Sequence, residues 1–292
     1  MNASTVAGSI IIAILLAGAV GAGINLSLPQ PVAAFPAPTK YREVYVGKPE
    51  DYPNVKKVNL EVSMEMGGVE LKASGENLVY MLGFSRKASG KPLVKTEVSD
   101  GVLTVSAVAA GGGLEILLGR NYVYNVDISI RSGGFKLAIS DQLQVESLKV
   151  TAASGGGYLS LEGSPSLKNA ELSLGSGGVV LDVKAEGFKG SSKLTVSVDS
   201  GGVIVKPLKL AGDVGCRIKA TVESGGLSFK PENFTVVESA KNTCEIQTSN
   251  YDSAVSRLNI LVSVGKGGVL INQELADVIR QMPQAYPQMG GV

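Results

Sequence analysis

Between Val196 and Val205 the chain reads VSVDSGGVIV. Before the glycines, Leu194, Val196 and Val198 share one side of the chain, while Thr195, Ser197 and Asp199 share the other. After them, Val203 and Val205 resume the apolar phase. A period of two marks a half-buried strand, whereas a helix needs spacings of three and four. Two glycines wedged between such strands point to a corner. There the backbone must take positive φ, which a residue with a β-carbon reaches only at about 1–2 kcal/mol.

The pattern recurs. Ser-Gly-Gly stands at Ser132-Gly133-Gly134, Ser154-Gly155-Gly156, Ser176-Gly177-Gly178, Ser200-Gly201-Gly202 and Ser224-Gly225-Gly226. The spacing is about 22–24 residues, the sign of a repeat architecture. Divergent copies read MGGVEL from Met66, AGGGLEI from Ala110 and GKGGVLI from Gly265, and Asn250 near Ser249 marks a degenerate one. Val126, Ile128 and Ile130, then Phe135, Leu137 and Ile139, repeat the same phase.

Two folds satisfy these corners. One is a β-solenoid whose coils stack in parallel at about 4.8 Å. The other closes Gly-Gly hairpins in an antiparallel meander or barrel. The near-constant period favours the solenoid, because hairpin loops vary. Stacking would align the five corner serines as a structural ladder. An anion nest at the corner amides is the alternative.

Composition narrows the function classes. Of 292 residues, 44% are hydrophobic and 18% charged, with a net charge of +1. That argues against disorder and against the clustered basic footprint of a nucleic-acid binder. The 37 glycines show no collagen triplet, and there is no His for a serine–histidine pair or a His metal site. No nucleotide fingerprint or calcium-type nonapeptide is present, so no cofactor is implied.

The chain divides into four parts. Residues 1–28 contain VAGSIIIAILLAGAVGAGI from Val6 to Ile24, uncharged and long enough for most of a membrane span. The span reads as a transmembrane anchor, with a cleaved signal or a buried helix as the other readings. As an anchor it makes membrane lipid a partner, and Gly18 and Ala22 would permit helix pairing and an oligomer. Either of the first two readings places the bulk of the chain outside the cytoplasm. Residues 29–54, with Pro29, Pro31, Pro36 and Pro38, read as a semi-rigid stalk. Residues 55–271 hold the repeats. Residues 272–292 begin with Asn272 as an N-cap, and Leu275, Val278, Ile279 and Met282 share one face of a short capping helix.

Candidate chemistry is sparse. Cys216 and Cys244, both in phase with inward residues, are a candidate disulfide, with two buried thiols as the alternative. Asp199 and Glu223 precede equivalent corners and could form a carboxylate pair, though solvated charges explain them better. Tyr122, Tyr124 and Tyr158 would mark a binding patch if they clustered at the surface.

With these residues assembled, the chain from about Val58 to Ile271 resembles the prokaryotic "putative adhesin" β-solenoid domains, the head-GIN and toastrack-type modules. The carrying segments are VNLEVSMEMGGVEL, VSDGVLTV, YNVDISIRSGG, SLKVTAASGGGYLSLEG, AELSLGSGGVVLDV and LTVSVDSGGVIV. Where relatives often place Gly-Asp at corners, this chain keeps Gly-Gly. The resemblance implies a surface-exposed solenoid, often membrane-anchored, with no catalytic residues. The reading is therefore an all-β repetitive solenoid with an N-terminal transmembrane helix and a C-terminal cap. It would be a non-enzymatic adhesion or envelope-structural protein whose partner is a surface polysaccharide or protein. A carbohydrate-active β-helix enzyme and an envelope sensor are the alternatives.

Overall fold

A computed structural model describes residues 41–85, 90–188 and 190–273. The strands are β1 (Tyr41–Gly47), β2 (Lys57–Ala73), β3 (Tyr80–Ser85), β4 (Leu93–Ser99) and β5 (Val102–Ala109). They continue as β6 (Gly112–Leu118), β7 (Val123–Ser140), β8 (Gln144–Gly163), β9 (Ser166–Ala185) and β10 (Ser191–Val205). Last come β11 (Lys209–Leu210), β12 (Val214–Phe229), β13 (Thr235–Ser239), β14 (Thr243–Gln247) and β15 (Ser256–Ile271). The described chain is all-β apart from one 3-10 turn at Pro49–Asp51.

Neighbours at the glycine corners run parallel, so the pairs do not close hairpins. Nor do they separate one strand from the next. Strand β10 passes through Ser200-Gly201-Gly202 unbroken, as β7, β8, β9, β12 and β15 pass through theirs. Each is one bent strand with an arm on either side of the corner, and its apolar phase faces the same interior from both arms. Val196, Val198, Val203 and Val205 are all buried there. A tight hairpin does join β4 to β5. Asp100 and Gly101 form its turn, with φ of 50° and 74°.

The first glycine of each pair explains the stacking. Gly112, Gly67, Gly133, Gly155, Gly177, Gly201, Gly267 and Gly225 line up across the sheet in that order. Their φ values lie between 106° and 146°. A β-carbon on Gly201 would stand 1.7 Å from the carbonyl oxygen of Gly177. The second glycine is under no such constraint. At Gly178 the nearest atom to a β-carbon would be 3.5 Å away.

The stacking order departs from chain order at both ends. It runs β5 and β6, then β2, β7, β8, β9, β10, β15 and β12. The first bent strand, β2, sits one place in from its end, and so does the last, β15. Thus the GKGGVLI copy from Gly265 lies between the Ser200 and Ser224 copies instead of beyond them. Antiparallel strands cover the outer edges: β4 on β5, β3 and β1 beside β6, and β14 and β13 beside β12. Open edges invite pairing with other chains; among the described residues the covering strands leave uncovered the second arm of β12, Ser224 to Phe229, which pairs only with β15.

Three sequence expectations shift. Residues 41–47, placed in the stalk, form β1 and pair with β3, so the fold begins before Val55. Asn250 occupies a turn, where its side-chain amide donates to Gly212 O at 2.8 Å, and is not a corner. Asn272 has φ of 57°, outside the extended region that an N-cap takes, and its amide donates to Lys230 O and Glu232 O at 3.0 and 3.1 Å, which ties two segments together. The segment 6–24 and the residues after 273 lie outside the described residues. Among those described, no helix is long and apolar enough to cross a membrane.

Candidate functional site

Because every bent strand keeps the same phase, outward positions on the first arms form rows across the sheet. The second row out from the corner is Ser63, Ser129, Thr151, Ser173, Ser197, Ser263 and Thr221, seven hydroxyls on seven adjacent strands. At about 4.8 Å per strand, the five from Ser63 to Ser197 span roughly 19 Å. Next to the corner stand Glu65, Arg131, Ala153, Gly175 and Asp199. Together these rows line a groove of 540 Å³.

The groove's middle is open because Ala153 and Gly175 carry almost no side chain. Gly175 cannot carry more, since a β-carbon there would meet Ala153 O at 2.7 Å. At one end Arg131 Nε pairs with Glu65 Oε2 at 2.9 Å, an exposed ion pair. Asp199 marks the other end. Hydroxyls both donate and accept, so the row offers repeated, charge-neutral hydrogen bonding along a fixed line. Farther from the corner, Asn125 donates to Asn59 Oδ1 at 3.0 Å, and Ser106 donates to Glu61. The first-arm face is mainly polar, with Leu261 on β15 and Val108 on β5 as apolar interruptions.

The residues singled out in the sequence are distributed differently. Four corner serines, Ser132, Ser154, Ser176 and Ser200, are adjacent, but Lys266 separates Ser200 from Ser224. Ser154 Oγ donates to Arg131 O at 3.4 Å, a local backbone contact. Asp199 and Glu223 are split by Gly265 of the intervening β15, so their backbones stand two strand spacings apart, roughly 10 Å. Both carboxylates are exposed. The tyrosines form no surface patch: Tyr122 and Tyr124 are buried, and the Tyr124 hydroxyl donates to Val79 O at 2.6 Å.

The cysteines are free. Cys244 faces Ala220 in the β12–β14 register, four residues along from Cys216. At about 3.4 Å per residue that separation is roughly 13 Å, well beyond the ~7 Å Cα limit for a disulfide. Both side chains point inward, as their phase required, and burial raises both thiol pKa values, that of Cys244 to about 11.

On the second arms, Asp182 is the buried charge. Its side chain is 6% exposed and contacts Lys206 Nζ at 3.2 Å and Lys184 Nζ at 3.3 Å, while the Tyr158 hydroxyl donates to it at 2.7 Å. Burial pushes the carboxyl up, but these three partners outweigh it and hold it below its ordinary value. This cluster is internally satisfied.

The groove row was readable and missed. A Ser or Thr stands three residues before the corner residue in every bent copy except the outermost, where Val108 takes the place. Alignment of the copies by their glycines, carried beyond the apolar phase to the polar one, would have shown it.

No protein-family profile matches the chain, and no curated protein matches it. Among solved structures, the chain is similar to one from Clostridium sporogenes described as a "putative cell adhesion protein". The identity is 15% and the TM-score 0.51, with 80% of this chain and 98% of the other covered. The likeness is one of fold, and it extends over nearly the whole of that protein.

Proposed function

We propose that this chain is a β-solenoid of the cell-surface adhesion class, held at a membrane by residues 6–24 and binding an extended glycan along the first-arm groove. The observation that carries the reading is the hydroxyl row from Ser63 to Ser197, held in register by a parallel sheet. A rigid row loses little freedom on binding, which favours a partner that repeats along its own length. The groove carries one cationic and two acidic side chains, Glu65, Arg131 and Asp199, so it selects weakly for charge. The similar fold of a protein described as a cell adhesion protein supports the class, and the uncharged leading segment supports the setting.

The test is retardation of the chain in gels containing soluble linear polysaccharides, a β-linked glucan and an N-acetylglucosamine polymer. Retardation by at least one, lost in the double variant Thr151→Arg/Ser173→Arg with an unchanged melting temperature, is the expected result. Retardation by neither, or retardation indifferent to the double variant, overturns the glycan reading. Recovery of the full chain in the soluble cytoplasmic fraction would overturn the setting.

A further inference from the structure

The outer side of the second arms differs from the mainly polar first-arm face. Its row reads Glu70, Lys136, Tyr158, Val180, Ile204, Leu270 and Ser228 on successive strands. Val180, Ile204 and Leu270 make an apolar strip across β9, β10 and β15. Two residues nearer the corner, Gly178, Gly202 and Gly268 form a parallel row without side chains, which leaves a shallow trough beside the strip. Leu270 is 3% exposed, although it alternates with the inward Val269 and Ile271 and does not belong to the core that those two join. Gly202 and Gly268 are buried as well. The chain leaves β15 on this same face. Asn272 N donates to Val205 O at 2.8 Å, and Gln273 Nε2 donates to Ser228 Oγ at 2.8 Å, at the end of the row.

We infer that residues 274–282 dock on this strip as an amphipathic helix, with Leu275, Val278, Ile279 and Met282 against Val180, Ile204 and Leu270. The length fits. Nine helical residues extend about 13 Å, and the three strand spacings from Ser228 on β12 to Val180 on β9 are about 14 Å. The spacing of the four apolar residues gives one continuous stripe, and Glu274, Asp277 and Arg280 fall on the other side. The occupant is tethered at the edge of its own site, which raises its effective concentration above that of any free competitor. Docking would clamp β15, the strand inserted last in sequence, against β10 and β9.

Two measurements test this on the full chain. The pair Ile204→Cys/Val278→Cys should form a disulfide within one molecule under mild oxidation, at least about tenfold faster than Ile204→Cys/Arg280→Cys. The native thiols are buried and do not compete. A link between two molecules would show that a second copy occupies the strip, and either that or no link overturns the inference. In Leu275→Ser/Ile279→Ser, amide exchange in the second arms of β10 and β15 should rise about tenfold while the first arms keep their protection. Unchanged exchange in both arms also overturns it.

Discussion

A β-carbon on Gly177 would stand 1.5 Å from the carbonyl oxygen of Gly155, whereas the next residue, Gly178, has nothing within 3.4 Å of that position. The two glycines of a pair therefore do different jobs. Gly177→Ala combines a φ of 130° with a backbone clash and should destabilise the fold by more than about 4 kcal/mol. Gly178→Ala should change stability by less than about 1 kcal/mol in either direction. Urea unfolding of the two variants checks this, and equal losses would contradict it.

Cys216 and Cys244 should resist thiol reagents in the native protein. In denaturant without reductant both should react, because neither is bonded. The folded thiol of Cys244 titrates near 11 against an ordinary value of 9.0. Its contribution to stability is therefore complete below the ordinary value and is lost as pH rises through the folded one. Between pH 8 and 11, Cys244→Ala should lose less thermal stability than the unaltered chain.

Glu146 is an extra residue in β8, where the register slips between Tyr124 and Asn125. Its carboxylate accepts from Lys168 and Lys57, each at 2.7 Å, and these bonds draw its pKa down to about 2 from 4.5. The folded value is depressed, so the contribution is whole above the ordinary value and fades as pH falls toward 2. Carbon-detected titration should place its midpoint near 2. Glu146→Gln should abolish the corresponding part of the acid-induced drop in melting temperature.

Asp182→Ala would leave the Tyr158 hydroxyl without its acceptor and two lysines without their carboxylate. Those lysine side chains are 34% and 44% exposed, so water recovers part of the loss. A destabilisation of about 1–3 kcal/mol is expected. Asp182→Asn keeps an acceptor for Tyr158 and should lose less. Thermal melts of both variants decide it.

How much of this was legible follows from what each signal encodes. Alternation reports which side of a strand is apolar, so Val126 to Ile139 and Leu194 to Val205 were placed correctly inward. It also put Cys216 and Cys244 inside. Pairing partners are another matter, because any copy of a repeat can sit beside any other with the same fit. Nothing in the local sequence says that Lys266 should stand between Ser200 and Ser224. The carboxylate pair failed for that reason, because it assumed that neighbours in the chain are neighbours in the stack. The disulfide failed on register instead: β12 and β14 are adjacent, but Cys244 lies opposite Ala220, four residues from Cys216. The groove was legible in principle, since its hydroxyl row repeats at a fixed offset from each corner.

The slot occupied by β15 works as a keystone. An array whose units stack in chain order can settle unit by unit as it leaves the ribosome, because each new unit needs only the one before it. Here β12 is synthesised before the strand that separates it from β10, so it must wait, unattached on that side, for residues 256–271. A nascent chain shorter than that has a gap in its sheet, with two raw borders facing each other. Translation through residues 256–271 is therefore the step that closes the gap and completes the stack.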